Sequence, residues 1–190
     1  MSKRLFVIEG FDRSGKDTLM QDLYDLNLKN THIYFNDLAG LPKYDKEQER
    51  FLEWLNRLID KQVNELNELF KVYDNVIMVR LVISDEVYSQ LFNREHTTIK
   101  YMDKLKDVQI FNYCILFKNY NEYLSRLSKI MDNKIQYNEE DFNHLNNLYK
   151  DVLDNSNYEY QIYYILSNTT RKDIVNNFLC FYDKWKIRKS

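Results

Sequence analysis

The sequence predicts an α/β protein with one sheet of five parallel strands and helices on both of its faces. Two observations carry this. Short apolar runs rich in β-branched or aromatic residues alternate with longer stretches of helical periodicity along the whole chain. The first of these runs leads through a tight turn into a helix. The chain has only three glycines, and that turn holds two of them, Gly10 and Gly15.

Strands are expected at Leu5–Ile8, His32–Phe35, Asn75–Val79, Ile110–Phe117 and Tyr160–Leu166. The first is a continuous apolar run, as a strand buried on both faces requires. Helices fill the gaps: Lys16–Leu28, a long one from about Asp45 to Lys71, Ser84–Phe92, Thr97–Lys106, Asn121–Met131, Glu139–Leu153 and Thr170–Lys186. In the first of them Leu19, Met20, Leu23 and Leu26 fall at helical spacing. The acids of Asn138-Glu139-Glu140-Asp141 suit a helix N-terminus. The tyrosines at 158, 160, 163 and 164 read as sheet core and edge. In such sheets ligands bind beyond the carboxyl ends of the strands. The first three strands end at the Gly10–Gly15 turn, at Phe35-Asn36-Asp37 and at Val79-Arg80, so these ends should share a cleft.

Bulk composition narrows the function. A chain of 190 residues with 44% hydrophobic and 15% aromatic content builds one domain, residues 1–190, with a sizeable core. A formal net charge of -2 argues against a nucleic-acid partner. Cys114 and Cys180 lack metal or redox spacing and read as reduced residues of a cytoplasmic protein. The three histidines are scattered. Met1-Ser2-Lys3-Arg4 leads straight into the first strand, so a signal peptide is not expected, and no apolar run is long enough to span a membrane.

The turn is the most informative segment. Gly10-Phe11-Asp12-Arg13-Ser14-Gly15-Lys16 fits the phosphate-binding pattern G-x-x-x-x-G-K-[ST] up to its last position. Glycine lets the backbone curl until successive N–H groups point into one concavity, where phosphate oxygens bind. The following helix adds the positive end of its dipole, and Lys16 adds a mobile point charge. Asp17 stands where Ser or Thr usually holds magnesium, and Thr18 follows. A carboxylate can hold Mg2+ directly or through water; an acid in the first turn also suits the dipole.

With these pieces placed, the chain resembles the thymidylate kinases, within the P-loop nucleoside monophosphate kinases. Glu9-Gly10-Phe11-Asp12-Arg13-Ser14-Gly15-Lys16-Asp17-Thr18 is similar to the family's E-G-x-D-R-x-G-K-[ST]-T, and its G-K-D-T ending resembles bacteriophage deoxynucleotide kinases. Val79-Arg80-Leu81-Val82-Ile83-Ser84-Asp85-Glu86-Val87-Tyr88 resembles D-R-Y-x-x-S-x-x-x-Y. Phe35 matches the first residue of the family's F-P-x, with Asn36 in place of proline.

The resemblance implies a three-layer fold with a short lid at about 127–140, ATP and Mg2+ as cofactors, small-molecule nucleotides as partners and a homodimer. It implies that Gly10, Arg13, Ser14, Gly15, Lys16, Asp17, Thr18 and Asn168 hold the nucleotide, with Asp17 the metal residue. Arg13, Lys16 and Arg80 would carry the catalytic charge. Asp12 would face the acceptor sugar, and Arg57 and Arg80 the acceptor phosphate. Trp54, or else Phe51, would stack on the base. Ser84 belongs to the same acceptor motif, as do Asp85, near the base edge, and Tyr88, near the sugar.

Val79 breaks the pattern, because the family has aspartate there. Asp17 or Asp37 substitutes, or the enzyme is slower, or the protein binds nucleotides without turnover. The lid is thin in cations, with Arg126, Lys129 and Lys134, which suits a chain carrying Arg13 in its loop. The leading expectation is phosphorylation of a deoxynucleoside monophosphate, dTMP to dTDP. The alternatives are a deoxynucleoside kinase of the same fold, with Glu9 or Asp37 as base, and a catalytically degenerate nucleotide-binding protein.

Overall fold

The computed structural model describes residues 2–11, 13–35, 48–94, 103–105, 107–128 and 137–186. Five strands form one sheet: β1 (Lys3–Gly10), β2 (Thr31–Tyr34), β3 (Asn75–Val79), β4 (Val108–Phe117) and β5 (Glu159–Ile165). Their order is β2-β3-β1-β4-β5, and every pairing is parallel. Six helices are described: α1 (Lys16–Asp25), α2 (Gln48–Leu69), α3 (Val82–Leu91), α4 (Tyr120–Leu127), α5 (Glu139–Asn155) and α6 (Arg171–Lys186).

The alternation of side chains along a strand sorts the core into two layers. Leu5 and Val7 of β1, with Val76 and Met78 of β3, join Ile59, Val63 and Leu66 of α2. Phe6, Ile8, Ile77 and Val79 join Leu19, Met20 and Leu23 of α1 and Phe178, Phe181 and Tyr182 of α6. All four residues of the Leu5–Ile8 run are completely buried, which is why that strand reads as unbroken apolar sequence.

Several ends differ from expectation for local reasons. α1 stops at Asp25 instead of Leu28 because Asn27 takes a left-handed conformation (φ 47°), a common helix terminator. α3 starts at Val82, two residues before Ser84. Arg80 turns the chain at φ 54°, and the Glu9 carboxylate accepts the Leu81 N–H at 3.0 Å, at the helix entrance. Of the helix expected at Thr97–Lys106, residues 97–102 and 106 lie outside the described residues, and Asp103–Leu105 forms a single 3-10 turn. Residues 45–47 of the long helix and 129–136 of the lid also lie outside them.

This topology sets the site. β1 lies between β3 and β4. The Arg80 N–H donates to the Ile8 carbonyl at 3.0 Å, and the Phe11 N–H donates to the Ile115 carbonyl at 3.3 Å. The turn after β1 therefore emerges between the carboxyl ends of two neighbouring strands, where open α/β sheets bind ligands.

Candidate active site

The turn has the backbone that an anion cradle needs. Gly10 (φ 122°) and Gly15 (φ 94°) both occupy positive φ. A Cβ on Gly10 would sit 2.0 Å from the Ile115 carbonyl oxygen, so no side chain fits there. Arg13 is also left-handed (φ 63°), a conformation that is strained for a residue with a Cβ. The Ser14 N–H closes back on the Phe11 carbonyl at 3.3 Å, and Ser14 is buried.

Lys16 begins α1 and folds back over the turn. Its Nζ donates to the Gly10 carbonyl at 2.9 Å and to the Phe11 carbonyl, and lies 3.4 Å from Ser14 Oγ. The side chain is 4% exposed. Lys16 is therefore packed within the turn and held by two of its carbonyls. Asp17 and Thr18 lie exposed on the first turn of α1. Asp17 can offer one carboxylate to Mg2+, which binds through one or two carboxylates together with phosphate oxygens and water. Among the described residues no group of three His, Cys, Asp or Glu side chains that could hold a metal occurs.

Glu9, just before the turn, is completely buried. Its carboxylate accepts from the Leu81 N–H and from Ser84 Oγ. Burial raises the Glu9 carboxyl above its ordinary value, while these two hydrogen bonds and the charge of Arg80 pull it down. Glu9 is thus a structural brace between β1 and α3, and Ser84 directs its hydroxyl at Glu9. Tyr149 of α5 completes the cluster. Its hydroxyl donates to the Gly10 carbonyl at 3.1 Å and lies 3.4 Å from Ser84 Oγ.

Arg80 stands half-buried at the end of β3, beside the turn. Val79 packs in the apolar layer, 9% exposed, as the last buried residue of its strand. Asp85 pairs with Arg94 at 2.9 Å, and the two side chains are only 6% and 4% exposed. The Arg94 guanidinium also lies over the Phe51 ring, 5.7 Å from its centre. Phe51 is thus an aromatic beside this pair; Trp54 is half-buried one helical turn further on. Tyr88 stacks on Phe92 at 6.1 Å.

Other expected residues lie apart from this cluster. The Arg57 side chain is 84% exposed and pairs with Glu53 at 3.8 Å on the solvent face of α2. Phe35, 49% exposed, meets the edge of Tyr24. Asn168 lies in an exposed turn after β5, closed by Thr169 Oγ1 accepting from the Leu166 N–H at 2.9 Å. Asp12, Asn36, Asp37, Lys129 and Lys134 lie outside the described residues. On the α1 side of the turn, Gly15, Thr18 and Asp22 line a small cleft with Arg126, Arg171 and Ile174. Arg171 forks onto both oxygens of Asp22 there, and Arg126 Nη2 lies 3.7 Å from the position of a Gly15 Cβ. Arg94 and Tyr149 were not legible as site residues in the sequence.

No family model matches the chain, and no curated protein matches it. Solved structures do. YorR from Bacillus subtilis, in complex with phosphorylated GDP, superposes with a TM-score of 0.61 at 18% identity, over 98% of this chain and 99% of that one. Deoxyadenosine kinase from M. mycoides with bound dATP gives 0.62 at 16%, over 94% and 98%. Thymidylate kinase from Candida albicans gives 0.57 at 14%, over 97% and 93%. The chain has the fold of the P-loop nucleoside and nucleotide kinases, as its motif implied. No described helix is long and apolar enough to cross a membrane.

Proposed function

We propose that this protein transfers the terminal phosphoryl group of ATP to a deoxynucleoside monophosphate, with dTMP to dTDP the first reaction to test. The observation that supports this is the turn after β1, on which Lys16 folds back, with the Arg80 backbone bonded to Ile8 at the adjacent strand end. Phosphoryl transfer asks the protein for positioning and charge neutralisation above all. The cradle's N–H groups and Lys16 hold the donor phosphates, and Arg13 reaches the group in flight. Arg80 meets the acceptor, and Asp12 lies towards its sugar. Mg2+ held through Asp17 supplies further neutralisation of the donor phosphates.

The acceptor base lies near Phe51, Asp85 and Arg94, with Trp54 on the next turn of α2 and Tyr88 towards the sugar. Asp85 alone offers only acceptor oxygens, which face the O4 of thymine poorly. Arg94 changes this, because it brings donors to the same point. Together the two present a donor beside an acceptor, which matches the O4/N3–H edge of thymine and the N3/N4 edge of cytosine.

A deoxynucleoside acceptor is the second reading, favoured by one observation. Arg57, expected at the acceptor phosphate, is turned to solvent. The test is an assay with ATP, Mg2+ and a panel of deoxynucleosides and their monophosphates. Turnover of a monophosphate above blank supports the proposal, turnover of nucleosides alone establishes the second reading, and ATP binding without turnover of either sinks both.

A further inference from the structure

Outside the residues assigned above, one buried polar group touches the phosphate turn itself. The phenol of Tyr149 reaches from α5 to the Gly10 carbonyl at 3.1 Å. That carbonyl already accepts from Lys16 Nζ at 2.9 Å. Its two acceptor sites thus serve two donors of different kinds: a fixed phenol from another element, and the mobile ammonium that a nucleotide must recruit.

The proton positions follow from the partners. Ser84 Oγ gives its hydrogen to Glu9, and Tyr149 gives its own to the Gly10 carbonyl, the nearer of its two partners. Tyr149 is completely buried, and its ring lies against Phe11 of the turn with centres 6.0 Å apart. Burial first, then Tyr88 and Glu9, push the phenol well above its ordinary value and keep it protonated as a donor.

To bind a phosphate, Lys16 must leave the Gly10 carbonyl. A buried carbonyl that loses its last donor is penalised by its full desolvation. With Tyr149 in place one donor stays, so the departure of Lys16 costs less. The same bond fixes the Gly10 carbonyl away from the cradle, so that the turn's N–H groups remain its lining.

We infer that Tyr149 is a positioning residue for the phosphate turn: its hydroxyl holds the Gly10 carbonyl so that Lys16 is released to bound nucleotide. This rests on the phosphate-loop reading of the proposed function. It predicts an effect confined to the donor nucleotide.

The experiment compares Mg·ATP affinity by titration calorimetry in the parent, Tyr149→Phe and Val152→Ala. Phe keeps the ring and the packing and removes only the hydroxyl. Val152→Ala weakens the packing of the same helix at a buried apolar residue that carries no hydroxyl. Tyr149→Phe should bind Mg·ATP about tenfold more weakly, one hydrogen bond's worth. The KM of the acceptor should be unchanged, and Val152→Ala should bind ATP like the parent. Equal ATP affinity in parent and Tyr149→Phe overturns the inference and leaves the phosphate loop standing. Equal weakening in both variants overturns it too, by showing a general effect of α5. A parent that does not bind Mg·ATP overturns the phosphate-loop reading and the role of Tyr149 with it.

Discussion

Arg94, three residues past the end of α3, donates to Asp85 at 2.9 Å, and the pair is almost wholly enclosed. Asp85 lies in the first turn of α3, and the chain doubles back after that helix through Asn93 at φ 48° to bring Arg94 against it. In the proposed function this enclosed pair forms the base end of the site.

The burial of this pair predicts an asymmetric response to mutation. Arg94→Met leaves the Asp85 carboxylate enclosed without its counter-charge and should lower stability by about 3–5 kcal/mol. Replacing both partners, as Asp85→Leu with Arg94→Met, should recover most of that loss, because desolvation is then absent on both sides. Urea unfolding of the two variants measures the difference. A double variant as unstable as the single one would show that the pair contributes through packing instead.

Arg13 combines backbone strain with the role proposed for it at the moving phosphoryl group. At φ 63° a side chain is disfavoured and glycine is not. Arg13→Gly should therefore be more stable than Arg13→Ala by about 1 kcal/mol. Both should lose kcat by about a thousandfold, with smaller changes in either KM, since an arginine aimed at the moving phosphoryl group acts in the transition state. Equal stability of the two variants would place the residue in ordinary backbone, and an intact kcat would place its guanidinium away from the reacting group.

Glu9 predicts the pH dependence of stability. Its carboxyl is raised by burial in the folded protein, so between its ordinary value near 4.5 and the raised value the folded state holds more protons than the unfolded state. Stability then falls as pH rises through that window. Glu9→Gln keeps the shape and removes the titration, so it should flatten this fall. Urea midpoints taken across the acidic to neutral range test it, and a parent and variant with parallel profiles would contradict the assignment.

The phosphate turn was legible in the sequence because its demands are local. Gly10 has no room for a Cβ, and in a chain of three glycines its spacing from Gly15 stands out. The position of Arg80 was legible for a similar reason, as the first residue past the apolar run Val76–Val79. Arg94 and Tyr149 were not. Each reaches the site across a sequence separation that periodicity does not encode: Tyr149 meets Gly10 from 139 residues away. Tyr149 also lies among sixteen tyrosines, most of which look alike in an aromatic-rich chain. Arg57 shows the opposite case. Its place came from resemblance, while the phase of α2 sets it beside Glu53 on the solvent side. The end of α1 was misjudged because Leu26 and Leu28 continue the apolar spacing past Asn27, where a single left-handed residue ends the helix.

The central claim is that residues 10–18 hold the phosphates of the donor and that Lys16 carries charge to the reacting group. In the structure Lys16 packs within the turn and hydrogen-bonds to it, so Lys16→Ala should cost about 1–3 kcal/mol of stability and still fold. The most direct measurement is phosphoryl transfer from radiolabelled ATP to the best acceptor of the panel, by the parent and by Lys16→Ala of verified fold. The account predicts a fall of several orders of magnitude in kcat/KM. Activity within tenfold of the parent would contradict it.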